Sequence, residues 1–278
     1  MPRTVDLEKM PAMATKPTCI FFTDFDGTIT LMDSNDYLTD NLGFGEELRK
    51  QGNRDVLEGK SDFRESFQAM LDSIKTPFSQ CITELCHNIK LDPHFKDFYH
   101  WALENNVPVV VLSSGMVPII RSLLVHLIGP EAEKMQIVSN DVKDRPGMNR
   151  DEEGGWDIEF HDDSLLSGFG HDKSLTIRPY AQLPDDVRPT LLYAGDGVSD
   201  LSAARETDLL FAKKGRDLVE YCERESVPFT VFEDWRSIHA TTKDIIEGRT
   251  SIKKIAAETA KEIRHDTEKV QVDQVTAK

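Results

Sequence analysis

Short apolar runs alternate along the chain with longer stretches in which apolar residues recur every three or four positions. That alternation predicts an α/β fold built on a mainly parallel sheet. Cys19–Phe22, Val107–Leu112, Leu191–Ala194 and Leu209–Ala212 read as buried strands, with Pro228–Phe232 as a fifth. Each of the first three runs straight into small or acidic residues: Thr23-Asp24-Phe25-Asp26-Gly27, Ser113-Ser114-Gly115 and Gly195-Asp196-Gly197. Ligands of open α/β sheets bind outside the carboxyl ends of the strands, so three strand ends nominate one site.

Residues 33–92 read differently. Phe63, Phe67, Met70, Leu71 and Ile74 recur at helical spacing, and a second helix follows Pro77 over Ser79–Lys90, which predicts a helical insertion directly after the first strand. Gln136–Val142 and Trp156–Phe160 flank a polar Pro/Gly/Asp loop, the pattern of a hairpin. The expected organisation is a disordered leader over 1–17, a core over 18–32 and 93–247, the helical insertion over 33–92, and a polar helical or disordered tail over 248–278. No internal repeat interrupts it.

Charge narrows the partners. The 278 residues hold 33 Lys and Arg against 49 Asp and Glu, a formal net charge of −16. Such a chain lacks the basic surface that attracts nucleic acid or anionic lipid, so neither is expected as a partner, and any anionic ligand needs a local device to overcome the global field. Four cysteines, Cys19, Cys81, Cys86 and Cys222, show no CxxC spacing, which argues against zinc and disulfides. The longest apolar runs fall short of the roughly 20 residues a membrane helix needs. Arg3, Asp6, Glu8 and Lys9 stand where a secretory signal would be apolar, so a cytoplasmic protein is expected; Asp6 and Glu8 also spoil a mitochondrial pattern.

The chemistry lies in the strand ends. Side chains alternate along an extended backbone, so Asp24 and Asp26 project to one side and Phe25 to the other. Two acids in one pocket repel unless a cation or a shared proton intervenes, and hard oxygen ligands suit Mg²⁺ better than zinc. Read alone, the motif also fits a polar turn. In Gly195-Asp196-Gly197-Val198-Ser199-Asp200, Asp196 and Asp200 both have the position to face a metal, although Asp200 equally suits a helix N-cap. Ser113, Ser114 and Gly115 offer a hydroxyl and amides to phosphate oxygens, or simply end a strand. Lys173, within Gly170-His171-Asp172-Lys173, is a lone cation in acidic sequence, and most such lysines are surface residues.

The order acid pair, serine, lysine, acid pair resembles the four motifs of the haloacid dehalogenase (HAD) superfamily of phosphotransferases, over roughly Thr18 to Trp235. Within it the chain is similar to the phosphoserine-phosphatase-like branch, whose helical C1-type cap lies between the first two motifs. The resemblance implies a Rossmann-like α/β core with a small helical cap inserted after the first strand. It implies Asp24 as nucleophile and Asp26 as the acid that protonates the leaving group and then activates water. Mg²⁺ would be held by Asp24, Asp196 and the main-chain carbonyl of Asp26, with Asp200 behind these ligands and Thr28 orienting Asp26. Ser113, Ser114, Gly115 and Lys173 would hold the phosphate.

Substrate choice is expected from the cap. Phosphoserine phosphatases carry a glutamate nine residues after the nucleophile, where this chain has Asp33; aligning the segment Glu58–Phe63 puts Met70 where that family uses an arginine for the substrate carboxylate. Arg64, six residues from Met70, points about 120° away on one helix. Asp33, Ser34, Asn35 and Asp36 suit hydroxyl groups, so the expected partner is a small phosphomonoester, a polyol or sugar phosphate. Phosphoserine, phosphocholine or phosphoethanolamine, the enolase-phosphatase reaction of methionine salvage, and transfer to a second hydroxyl stay open. A non-catalytic binding protein fits poorly when every catalytic position is filled. His171 is expected in a structural role.

Overall fold

The computed structural model describes residue 6 and residues 8–161, 171–225 and 227–262. Seven strands form one sheet in the order β4-β3-β2-β1-β5-β6-β7. They are β1 (Cys19–Thr23), β2 (Val109–Met116), β3 (Gln136–Asp144), β4 (Trp156–Glu159), β5 (Thr190–Gly195), β6 (Leu209–Lys213) and β7 (Phe229–Phe232). All neighbours pair in parallel except β3 and β4, the antiparallel hairpin. Between β1 and β2 lie α1 (Ser34–Leu42), α2 (Glu46–Leu57), α3 (Phe63–Asp72), α4 (Phe78–Asn88) and α5 (Phe95–Glu104). Then come α6 (Val117–Leu127), α7 (Lys173–Ala181), α8 (Leu201–Ala204), α9 (Asp217–Glu225) and α10 (Trp235–Ile246). This is an α/β, Rossmann-like parallel sheet with helices inserted after its first strand.

The side-chain period of two divides the core. In β1, Cys19 and Phe21 join one apolar cluster and Ile20 and Phe22 the other, and β2, β5 and β6 alternate in the same way. One face carries α5, α6 and α10 and continues into the insertion through Leu38, Phe67 and Phe78; the opposite face carries α7, α8 and α9. Covering both faces is why these strands read as unbroken apolar runs, each large side chain contributing roughly 1.5–3 kcal/mol. No described helix is long and apolar enough to cross a membrane.

One terminal expectation changes. Pro11–Met13 form a 3-10 turn, and Met10, Ala12 and Met13 are buried in the second cluster, so the later part of the expected disordered leader is packed structure. Three apolar side chains outweigh the charges around them. Residues 252–262 are helical, with Ile255 and Thr259 buried, while the rest of the expected tail, 263–278, lies outside the described residues.

The insertion is joined to the sheet through a paired neck. Thr30 and Leu91 form an antiparallel bridge, Leu31 N donates to the Lys90 carbonyl and Asp92 N to that of Ile29, both at 2.9 Å. The β3–β4 hairpin adds a second attachment. Gln68 Nε2 donates to Asp157 Oδ1 (2.7 Å), Trp156 Nε1 to the Thr76 carbonyl (2.9 Å) and Ser79 N to Asp151 Oδ1 (2.9 Å).

Candidate active site

β1 is central, with β2 on one side and β5 on the other, so successive connections run in opposite directions from it. That is the topological switch point of a parallel sheet. The carboxyl ends of the three strands open into a cavity of about 240 Å³. Asp24, Asp26, Ser113, Gly115 and Asp196 line it from the sheet, and Asp33, Asn35, Asp36, Asn53, Phe63, Phe67 and Met70 from the insertion. The three predicted strand ends therefore meet, together with the predicted Asp33, Ser114 and the unpredicted Ser199.

The loop that follows β1 is shaped by one carbonyl. Asp24 N donates to the Ala194 carbonyl at 2.9 Å and extends the β1–β5 pairing by one residue; then the amides of Thr28, Ile29 and Thr30 all converge on the Phe25 carbonyl at 3.3, 2.9 and 3.1 Å. Phe25 is buried in the core while Asp24 and Asp26 face the cavity, as alternation requires. Gly27 has φ +76°, and a Cβ there would collide with the Asp196 carboxylate, so both conformation and space demand glycine. Thr28 departs from its expected role. It does not line the cavity, its hydroxyl is buried without a hydrogen-bond partner, and its carbonyl accepts from Trp235 Nε1 at 2.8 Å. The residue anchors the loop to α10.

In β2 the register with β3 shifts between Leu112 and Met116, which frees Ser113, Ser114 and Gly115 from regular pairing. Their carbonyls are tied back instead: Ser139 Oγ donates to Gly115 O (2.6 Å) and Asn140 Nδ2 to Ser114 O (2.7 Å). Gly115 N donates to Ser113 Oγ at 2.9 Å.

Lys173 is fully buried, contrary to the ordinary placing of a lone lysine. It opens α7, whose N-cap is Asp172, accepting from Ser174 N at 3.0 Å. Its Nζ donates to Asp24 Oδ1 and to Asp200 Oδ1, each at 2.6 Å. Asp200 makes no side-chain cap to α8; its Oδ2 accepts from the amides of Asp196 (3.0 Å) and Gly197 (3.1 Å), and its Oδ1 also accepts from the Tyr193 hydroxyl (2.5 Å). His171 is buried with Nδ1 3.0 Å from the Ser113 carbonyl, a structural placing.

Acids outnumber bases in this pocket, and burial magnifies the imbalance. Burial raises the pKa of Asp24 most, with Lys173 opposing it. Burial, then the charge of Asp33, hold Asp26 well above the carboxylate range, against the Ser34 amide. Burial and Asp200 raise Asp196. Burial by itself would lower Lys173, but Asp200 and Asp24 outweigh it and the ammonium is retained. A buried excess of negative charge of this kind is satisfied by a cation. Asp24, Asp196 and Asp200 each offer an oxygen, all within 4.8 Å of one another, a hard donor set that fits Mg²⁺. The two oxygens of Asp200 already accept four hydrogen bonds, which leaves Asp24 and Asp196 as the carboxylates to hold the ion. The Asp26 carboxylate lies outside that group, the expected metal contact of this residue being its main-chain carbonyl: Oδ1 accepts from Ser34 N (2.7 Å) and Oδ2 from Asn35 Nδ2 (3.2 Å).

On the insertion side, Asp33 caps α1, its Oδ1 accepting from Asn35 N (2.7 Å) and Asp36 N (2.9 Å). Arg49 on α2, which the sequence reading missed, donates to Asp36 Oδ2 (2.7 Å) and with a second edge to both oxygens of Asp40 (2.7 and 2.8 Å). Met70 lines the cavity, whereas the Arg64 guanidinium stacks 4.0 Å from the Phe160 ring centroid. No lining side chain among the described residues is basic.

Comparison with known proteins agrees with this geometry. Residues 21–205 match the family model of haloacid dehalogenase-like hydrolases, and the chain belongs to that family. Among relatives, it is 53% identical over 228 residues to Pdp3-interacting factor 1 of Schizosaccharomyces pombe, spanning 82% of this chain and 96% of that one. It is 49% identical over 240 residues to the polyol phosphate phosphatase PYP1 of Saccharomyces cerevisiae, spanning 84% and 96%. A substrate-bound phosphoserine phosphatase structure superposes with a TM-score of 0.55 at 16% identity, over 80% of this chain and 96% of that one, a likeness of fold.

Proposed function

We propose that the protein is a Mg²⁺-dependent phosphatase of small polyol phosphates, working through a phosphoryl group held on Asp24. One observation carries this reading: a single cavity joins Asp24, Asp26, Ser113 and Asp196 to a wall of acceptors, Asp33, Asn35 and Asp36, with no basic side chain among its described lining residues. At about 240 Å³ it lies below the roughly 300 Å³ at which ordinary ligand pockets begin, so the substrate is small. An anionic head such as the phosphoserine carboxylate finds no guanidinium there, since Met70 occupies the wall. Hydroxyl groups find acceptors. The relative PYP1, named a polyol phosphate phosphatase, supports that choice.

In the reaction, Asp24 attacks phosphorus, forming an O–P bond as the bond to the ester oxygen breaks. Bound Mg²⁺ supplies the charge neutralisation that lets a carboxylate approach a phosphate dianion. Asp26, whose burial favours the protonated form, gives its proton to the departing alkoxide. Lys173, already hydrogen-bonded to Asp24, holds a phosphoryl oxygen, and the Ser113 hydroxyl, itself held by the Gly115 amide, donates to another. Water then attacks the phosphorus of the acyl phosphate while Asp26 takes its proton, releasing inorganic phosphate and free Asp24. Helices α1–α4 form the cap that selects the substrate.

The test is phosphate release from glycerol 3-phosphate, ribitol 5-phosphate, glucose 6-phosphate, phosphoserine and phosphocholine, with Mg²⁺ and with chelator. The polyol phosphates are expected to have the highest kcat/KM. Preference for phosphoserine or phosphocholine would overturn the substrate assignment, and phosphate appearing on an added alcohol would make the protein a transferase.

A further inference from the structure

Tyr193 lies in the middle of β5 without exposure, its ring in the apolar cluster beneath α7 and α8. A leucine or valine would serve that packing, and a phenol hydroxyl in such a place costs free energy unless it finds a partner. The partner is Asp200 Oδ1, at 2.5 Å, the same oxygen that receives Lys173 Nζ at 2.6 Å. The other oxygen receives two amides from the turn that carries Asp196. Four donors fill the accepting capacity of one carboxylate and fix its orientation.

That saturation bears on Lys173. The ammonium is shared between Asp24 and Asp200 at equal distance, and its ring contact places Nζ 5.8 Å from the Tyr193 centroid. A lysine is a point charge on a flexible stem, and two carboxylates compete for it. The Tyr193 hydroxyl engages part of the Asp200 charge and so weakens that side of the competition. Without it, Asp200 Oδ1 has Lys173 as its sole donor and draws the ammonium away from Asp24 and the phosphoryl oxygen beyond it.

We infer that Tyr193 is a positioning residue for phosphoryl transfer: its hydroxyl holds Asp200 so that Lys173 stays on Asp24. The inference rests on the reading of Asp24 as nucleophile. Lys173 acts on the transferred group, so the effect belongs to the reaction step more than to substrate binding.

The experiment compares wild type, Tyr193→Phe, Asp200→Asn and the double variant, with Mg²⁺ and either glycerol 3-phosphate or p-nitrophenyl phosphate, alongside thermal melts. A hydrogen bond to a charged group is worth enough for kcat of Tyr193→Phe to fall about tenfold, with KM within about twofold. The double variant is expected to be no slower than Asp200→Asn by itself, because the hydroxyl acts only through that carboxylate. Wild-type kcat in Tyr193→Phe overturns the inference. Losses that add in the double variant, or a Tyr193→Phe protein that fails to fold, assign the residue to packing and overturn it equally. A wild-type protein that releases no phosphate from either ester fails the phosphatase reading itself, a separate outcome.

Discussion

Lys173 Nζ and Asp24 Oδ1 lie 2.6 Å apart, although 149 positions of sequence separate them. Lysine and both of its carboxylate partners are buried, so each charge depends on the others. Removing one member of such a buried set strands the rest. Lys173→Met is expected to lower kcat by about 10²–10³-fold and to cost about 3–5 kcal/mol of stability. Steady-state kinetics and denaturant unfolding measure the two; unchanged stability would contradict a shared buried charge network.

Asp26 as proton donor makes a different demand on each substrate. An alkoxide needs the proton to leave, whereas p-nitrophenolate does not. Asp26→Asn is therefore expected to lose about 10²–10⁴-fold on glycerol 3-phosphate. On p-nitrophenyl phosphate it should show a burst of nitrophenolate followed by slow turnover, because water attack still lacks its base. Stopped-flow absorbance reads the burst, and equal losses on both esters without a burst would speak against the assignment.

On the proposed reading, Mg²⁺ competes with protons that burial favours on the site. Burial pushes Asp196 up to about 6 and Asp24 to about 8, whereas both titrate near 4 in an unfolded chain. A folded pKa above the unfolded one contributes stability below pH 4, lost as pH rises through the folded values. The chelated protein should thus lose Tm between about pH 5 and 8, and the Tm gain on adding Mg²⁺ should grow over the same window. Asp196→Asn should show a smaller gain. Differential scanning fluorimetry provides the measurement, and a gain independent of pH would contradict it.

Met70 stands in a cavity wall with no basic side chain among its described residues. Met70→Arg is expected to raise kcat/KM for phosphoserine relative to glycerol 3-phosphate by about tenfold, the order a charge-assisted pair provides. No change in that ratio would show that the wall does not face the substrate's distal end.

The parts of this fold that depend on local pattern were legible in the sequence. The strand ends Asp24, Ser113 and Asp196 could be located because an apolar run stopping at small or acidic residues is a local signal, and the alternation that turns Phe25 inward follows from the pleat. Lys173 was different: its neighbours are acidic and polar, and only its position in the motif order set it apart, since its burial comes from docking α7 against β5 and β1. Tyr193 read as one more apolar strand residue, although a hydroxyl inside a buried strand is itself a signal that a partner is needed. Thr28 was misplaced because its hydroxyl lies beside Asp26 in sequence, while the loop that closes on the Phe25 carbonyl takes it away from the cavity. The packing of Met10 and Met13 was hidden by the charged residues before them, and Arg49 by the polarity of α2.

The most direct measurement of the central claim is a search for the phosphorylated carboxylate. Asp26→Asn is incubated with Mg²⁺ and p-nitrophenyl phosphate, whose leaving group needs no proton, quenched in acid, and reduced with borohydride, which converts an aspartyl phosphate to homoserine for peptide mass spectrometry. Homoserine at position 24, absent without substrate, is the predicted result. Homoserine at another aspartate, or none anywhere while wild type releases phosphate, would contradict the account.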